Sequence, residues 1–365
     1  MWISKLTVHN CRIIHSAEIN LEPSINIFYG QNASGKSSIL EALSLLARGR
    51  SFRTPRIQEV IHNQAPEILV NARVEQGQLS TSYPIGISKS ANETRIRIQH
   101  SDIKQQAELS THLPLTLIHP NSVELLMGSP AGRRAFLDWI AFYRFADFHT
   151  HWKQYQRVLK QRNACLRDIK PRSSLPYWTE QLIRLQPLIQ RFRQQALAAL
   201  LQTLQISHEL LQMPQLPQLQ LSTGYPQDVD IFAVDNVLNF LDSRLDNELK
   251  QGVSLYGTHR ADLKILLAGQ PAHQVASRGQ LKLLTVGLLL AQSHAISELS
   301  TKRGIIAIDD LAAELDEPNQ QTLYKILCST QQQLMITGTR PIATHLLGQQ
   351  AALFQVHQGQ VTRQV

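Results

Sequence analysis

The sequence predicts an α/β body assembled from both ends of the chain, with a mainly helical lobe inserted between them. Three observations predict it. Apolar residues alternate with polar ones up to a glycine-rich loop at residues 30–37, and a helical pattern follows that loop. Glycine vanishes after Gly132, and long Arg/Gln-rich helical stretches run to about Met213. Late in the chain an apolar run at residues 304–308 ends in two carboxylates, Asp309 and Asp310.

Each element follows from its own pattern. Ile3, Leu6 and Val8, then Ile19, Leu21, Ile25 and Ile27, show the period of paired strands. Beyond the glycine-rich loop, Ile39, Leu40, Leu43, Leu46 and Ala47 recur at helix spacing. Strand-like pieces return at residues 68–74, 82–87 and 94–98. Pro171, Pro176 and Pro187 punctuate the helical lobe. A break at residues 213–217 precedes a strand-like 218–222, a helix over 234–250 and renewed alternation at 254–267. Residues 276–300 read as a small polar loop feeding an apolar helix, and 334–337 and 352–356 as closing strands. The expected division is therefore 1–110 and 253–365 for the body, and 111–252 for the helical lobe.

At 43% hydrophobic, the 365 residues can bury a large core, which excludes a disordered chain. The net charge of +8 favours an anionic partner. Its distribution is more telling. Between Arg133 and Arg193 there are 13 basic residues and four acids, leaving 23 basic and 24 acidic residues elsewhere. The whole positive excess lies in one segment, as a localised electrostatic footprint for nucleic acid or an acidic membrane face would. Cys11, Cys165 and Cys328 form no disulfide framework or zinc motif, which points to a reducing cytoplasm. The N-terminal stretch lacks the apolar core of a signal peptide, and the most apolar run, residues 283–291, is too short to span a bilayer, so no membrane is expected. His149 and His151 have no evident third ligand and read as structural or surface residues.

Gly30, Gln31, Asn32, Ala33, Ser34, Gly35, Lys36 and Ser37 match G-x-x-x-x-G-K-[ST], with Ser38 continuing into the helix. Glycines let successive backbone N–H groups turn onto phosphates, and the helix that follows adds its N-terminal dipole. Lys36 then places a point charge between β- and γ-phosphates, and the Ser37 hydroxyl holds Mg²⁺. ATP and Mg²⁺ are the expected cofactors. A buried strand would deliver Asp309 to the same Mg²⁺, and Asp310 to a place where it can orient or deprotonate the attacking water. Lys36 and Asp310 are thus the candidate catalytic residues. Ser277, Arg278, Gly279 and Gln280 open an apolar helix; a serine hydroxyl and a glycine N–H at such an end make an anion site, and Ser277 also suits an N-cap.

This order of motifs resembles the ABC-type ATPases. Ser277 to Gln280 is similar to their signature, and Ala313, Glu314, Leu315 and Asp316 to their D-loop. The resemblance implies a P-loop ATPase head as lobe I, with an inserted helical lobe II. It also implies that the signature of one subunit closes over the nucleotide of another, so that ATP makes a homodimer. Arg12 follows the first strand, as in SMC- and Rad50-like heads, and is expected near the nucleotide. Further strings resemble the RecF family: residues 49–54 (GRSFRT), 132–138 (GRRAFLD), 159–163 (LKQRN) with Leu166 and Arg167, and 257–263 (GTHRADL). That resemblance implies an ATP-dependent DNA-binding protein of recombinational repair and replication. Such a protein acts with RecR and RecO at gaps, helps load RecA and supports the SOS response.

Three departures from the ABC pattern stand out. Asp310 replaces the usual Glu and is one methylene shorter, which suggests slow turnover. Thr337 stands where a switch histidine would follow the strand, and no Q-loop glutamine is evident around Pro120, Asn121 and Ser122. For DNA, whether single-stranded, double-stranded or gapped, Arg133, Arg134, Arg162 and Arg167 are the candidate contacts, with Arg50 and Arg53 further candidates near the ATP site. The rivals are a transporter ATPase, which lacks its aromatic adenine stacker; another SMC or Rad50 head, which lacks its heptads; and a DNA clamp that binds ATP and barely hydrolyses it.

Overall fold

In the computed structural model, the described residues are 1–77, 81–210, 215–297, 304–310, 317–341 and 351–364. Among them the contacts define two compact units. The first comprises chiefly Met1–Ser122 and Val286–Val365, the second Val123–His208 and Met213–Thr285.

The first unit is built on two sheets. Strands β1 (Trp2–Cys11), β2 (Ile14–Asn20), β4 (Ile68–Gln76), β5 (Thr81–Lys89), β6 (Thr94–Ile98) and β7 (Ser101–Ile103) form an antiparallel sheet in the order β2-β1-β4-β5-β6-β7. Alternation along β1 sends Ile3, Leu6, Val8 and Cys11 into the core. The second sheet has the order β15-β14-β3-β13-β12-β8. It comprises β3 (Ile25–Tyr29), β8 (Leu115–Ile118), β12 (Ile305–Ile308), β13 (Gln333–Gly338), β14 (Ala351–His357) and β15 (Gln360–Gln364). All its pairings are parallel except β14 with β15. Strands covered on both faces bury nearly every side chain and are mostly apolar. Accordingly, β8, β12 and β13 are buried at every position, and β3 at all but Tyr29. Helix α1 (Lys36–Arg48) packs Ile39, Leu40, Leu43, Leu46 and Ala47 into the core of this unit. The short α2 (Ala107–His112) and α10 (Glu317–Ser329) complete its described elements with the C-terminal part of α9 (Arg278–Ser297), whose N-terminal part belongs to the second unit.

The second unit is helical, with α3 (Glu124–Met127), α4 (Pro130–Arg144), α5 (Phe148–Arg167), α6 (Leu175–Leu210), α7 (Val234–Gln251) and α8 (Ala272–Val275). Three antiparallel strands, β9 (Gln218–Leu221), β10 (Leu263–Leu267) and β11 (Gln270–Pro271), accompany them in the order β11-β10-β9. Of the prolines expected to punctuate the lobe, Pro187 behaves differently. Pro176 lies in the first turn of α6, where an N–H would have no intrahelical acceptor anyway. Pro187 does not end the helix but sits inside it, between the buried Leu182, Ile183 and Ile189, whose packing holds the backbone helical across the lost hydrogen bond. The expected boundary after residue 110 also differs from that of the compact units. Strand β8 pairs with β12, which ties residues 115–118 to the first unit.

Candidate functional site

Strands β3, β12 and β13 lie side by side and point the same way, so their C-terminal ends gather three loops at one edge. Such an edge is where open α/β sheets bind ligands. The first loop runs from Tyr29 to Lys36. Gly30 is required by close approach: a Cβ there would lie 2.1 Å from the Val356 carbonyl oxygen. Its N–H donates to the Gly338 carbonyl at 3.3 Å, which fastens the loop to the end of β13. Gly35 is left-handed (φ 111°) and starts α1. The Ile13 side chain and the Gly359 backbone flank the loop, and the Gly359 N–H donates to the Ser34 carbonyl at 2.8 Å.

The loop has the properties of an anion cradle. No side chain caps α1, and its first turn carries no acid, so the helix N-terminus is left for an external negative charge. Ser34 Oγ is buried without a hydrogen-bond partner among the described residues. The Lys36 ammonium is buried and donates to the Gly30 and Gln31 carbonyls, at 2.8 Å each. Burial pulls its pKa below the ordinary lysine value, and the carboxylates of Asp310 and Asp309 pull it back up. A cation held at such a loop suits phosphate oxygens.

Opposite Lys36, Ser37 and the two aspartates are joined. Asp309 follows β12, and its N–H donates to the Ile118 carbonyl at 2.8 Å. Its Oδ1 accepts from the Ser37 hydroxyl at 2.8 Å and from the Thr337 hydroxyl at 2.8 Å. Two oxygens that are cis in an octahedral Mg²⁺ shell, each ~2.1 Å from the metal, lie ~3.0 Å apart, close to the 2.8 Å between Ser37 Oγ and Asp309 Oδ1, so the pair fits that ion. Asp310 adopts a left-handed backbone (φ 47°), unusual for a residue with a Cβ, and its N–H donates to Thr337 Oγ1 at 3.0 Å. Thr337 thus fixes both aspartates. The sequence marks it only as a missing histidine; the parallel pairing of β12 with β13 is what places it there.

His119 is a second residue that motif reading misses. It follows β8, which pairs with β12 as Ile118 to Ile308, so it stands beside Asp309. Burial lowers its pKa, with the charge of Asp309 opposing and that of Arg48 adding. Its ring packs on Phe52 with centroids 5.0 Å apart. The Phe52 string and the region of the absent glutamine therefore meet here.

Arg12 is placed less directly than expected. It sits in the left-handed turn between β1 and β2, and its guanidinium is bidentate on Glu41 of α1, at 2.9 Å for both bonds. Glu41 is fully buried and also accepts from the Ser51 hydroxyl. This pairing braces the helix behind the phosphate loop.

In the second unit, Ser277 and Gln280 are exposed and cap each other. The Ser277 N–H donates to Gln280 Oε1 at 2.8 Å, and the Gln280 N–H to Ser277 Oγ at 3.3 Å. Arg278 and Gly279 between them are also exposed. Asp316 lies outside the described residues.

The candidate DNA arginines need correction. Arg162 is 1% exposed; its guanidinium binds Glu248 (2.5 Å), Ser254 (2.7 Å) and Thr179 (3.0 Å) inside the unit. Arg133 is bidentate on Asp262, and Arg134 donates to the Ala261 carbonyl. These three hold the helices of the unit to the 254–262 segment, and Arg162 cannot reach a phosphate. Arg167 alone of the four is exposed.

Comparison with known proteins bears on this geometry. The family model described as the RecF/RecN/SMC N-terminal domain matches residues 2–362. The DNA replication and repair protein RecF of Shewanella loihica is 33% identical over 366 residues, covering 99% of each chain. That of Psychromonas ingrahamii is 35% identical over 367 residues, again covering 99% of each. Among solved structures, the recombination mediator protein RecF with ATP in the RecFOR pathway superposes with a TM-score of 0.86 at 23% identity, covering all of this chain and 98% of that one. An SMC head bound to the winged-helix domain of ScpA gives 0.58 at 14% identity, covering all of this chain and 98% of that one.

Proposed function

The chain belongs to the RecF family of DNA replication and repair proteins, and from that premise we propose that it is an ATP-dependent DNA-binding protein whose two copies join when each holds ATP. The observation that carries the reading is the set of bonds joining Ser37, Asp309, Asp310 and Thr337 opposite Lys36. Lys36, the loop N–H groups and the α1 N-terminus hold the phosphates. Ser37 and Asp309 hold Mg²⁺, which screens charge on the transferring phosphoryl group. Asp310 orients the attacking water, and its short side chain makes turnover slow. Ser277 to Gln280, exposed at the start of α9, supply the signature to the partner copy, and Asp316 the D-loop. ATP then acts as a timer, because its hydrolysis removes the state that holds DNA.

In this reading the protein works in the cytoplasm at DNA gaps with RecO and RecR, assists RecA loading and supports the SOS response. Among the described residues no helix is long and apolar enough to cross a membrane. Molar mass by light scattering, with Mg-ATP and with Mg-ADP and each with and without DNA, tests the composite site. A dimer with ATP and a monomer with ADP is expected, and Ser277→Ala should weaken the dimer. A monomer under every condition refutes the mechanism.

A further inference from the structure

We infer that the outward face of α5 is a binding site for a nucleic-acid phosphate backbone, formed by Lys153, Arg157, Lys160 and Arg167. This rests on the DNA-binding reading and moves it from Arg133, Arg134 and Arg162 to an exposed helix face that keeps only Arg167 of the earlier candidates. The spacings of four, three and seven residues put all four on one helix face. All four are exposed. The opposite face is fixed in the core by Tyr155, Val158, Leu159, Cys165 and Leu166, so the helix cannot present the stripe elsewhere.

The 20 residues of α5 contain no acid. Among the described residues Arg157, Lys160 and Arg167 make no ion pair, whereas Arg162 on the buried side is fully engaged. Like charges three and four residues apart, as at 153/157 and 157/160, repel along a helix, which a bound polyanion would offset. A merely solvated face usually mixes signs, as α7 does with Asp235, Asp242, Arg244, Asp246 and Lys250. The stripe is also held at its far end, because the Arg167 stem lies over Gly252, where a Cβ would come 2.8 Å from its Cγ.

Gln154, Gln156 and Gln161 accompany the cations and are exposed, and their amides can donate to the phosphate oxygens of a nucleic acid or a lipid alike. One feature selects nucleic acid over a lipid surface. A helix lying on a membrane exposes large apolar residues beside its cations, whereas on α5 those residues are in the core. From Lys153 to Arg167 the helix rises about 21 Å, and duplex DNA carries about 12 charges over that length. The contact reads charge and not sequence.

The test uses the full chain with Mg-ATP and the exposed triple variant Arg157→Gln, Lys160→Gln, Arg167→Gln. Binding to two fluorescent duplexes of unrelated sequence is followed over a salt series, with phosphatidylserine vesicles and nucleotide binding measured in parallel. The variant should lose at least about 10-fold in affinity for both duplexes, and its salt slope should fall by about 2–3, near one per lost phosphate contact. Nucleotide binding should not change. Wild-type binding to DNA with an unchanged slope in the variant overturns the stripe and leaves the DNA-binding reading standing. Loss of vesicle binding with DNA binding intact assigns the face to lipid and overturns it too. Failure of the wild type to bind DNA at all removes both the stripe and the reading beneath it.

Discussion

Replacing Thr337 by valine tests whether hydrolysis depends on how the two aspartates are held. The substitution conserves shape and removes one hydroxyl at a position that is 1% exposed, where water cannot readily replace it. Two hydrogen bonds disappear: the 2.8 Å bond to Asp309 Oδ1 and the 3.0 Å bond from the Asp310 N–H. A bond to a charged group contributes about 1.5–3 kcal/mol and a neutral one about 0.5–1.5, so the arrangement loses ~2–4 kcal/mol. If roughly half of that is felt in the transition state, hydrolysis falls about 5- to 30-fold, since 1.4 kcal/mol is a factor of ten. Nucleotide binding without Mg²⁺ should change little, because Lys36 is held by the Gly30 and Gln31 carbonyls and Gly30 by the Gly338 carbonyl, none of which involves the Thr337 hydroxyl. The assay is multiple-turnover phosphate release with DNA, accompanied by an Mg²⁺ titration and a thermal melt to establish folding. Thr337→Ser retains the hydroxyl and should recover most of the activity. A folded Thr337→Val protein with wild-type turnover and an unchanged Mg²⁺ midpoint refutes the reasoning.

Arg162→Met strands the buried Glu248 carboxylate and should cost about 3–5 kcal/mol by urea unfolding, with Glu248→Leu in the same chain recovering much of it; a single-variant loss under about 1 kcal/mol contradicts the network. His259 is held neutral, with burial the main cause and a pKa of about 4, and its Nε2 faces the Ser254 carbonyl at 3.0 Å. The unfolded chain binds the proton first, so this stability is complete above pH ~6.5 and is lost as pH falls toward 4, by roughly 3 kcal/mol. Urea midpoints of wild type and His259→Gln should therefore diverge at neutral pH and converge in acid, and parallel curves would exclude the effect. Gly30→Ala forces a Cβ against the Val356 carbonyl, and nucleotide affinity measured by fluorescence should fall at least about 10-fold, with no change counting against the close-approach argument.

Much of the first unit was legible because its strands and its chemistry are written locally. The β3-loop-α1 pattern and the apolar β12 ending in Asp309 fix their own conformations, as the structure places them. What could not be read were contacts made by strand order. Thr337 and His119 reach the site only because β13 and β8 flank β12, and no spacing along the chain encodes those neighbours. The reciprocal bonds of Ser277 and Gln280 were half visible, since a serine before an apolar helix suggests a cap but does not say what it exposes.

Positive charge in a sequence says little about where that charge can act, and the second unit illustrates why. The excess between Arg133 and Arg193 is real, yet Arg133, Arg162 and Arg193 are each spent on an internal carboxylate, respectively Asp262, Glu248 and Asp138. Two of these acids lie outside the segment, at residues 248 and 262, so counting within it misses the neutralisation. A planar guanidinium with five donors suits such buried work, because it satisfies several acceptors from one position. Arg162 does so with a carboxylate and two hydroxyls. Arg157, Lys160 and Arg167 on the outer face of α5 make no ion pair among the described residues and keep their charge for solvent or a ligand. Burial therefore divides one basic segment into an internal scaffold and an outward set that includes the α5 stripe, and only the outward charges can contribute to a salt-dependent affinity.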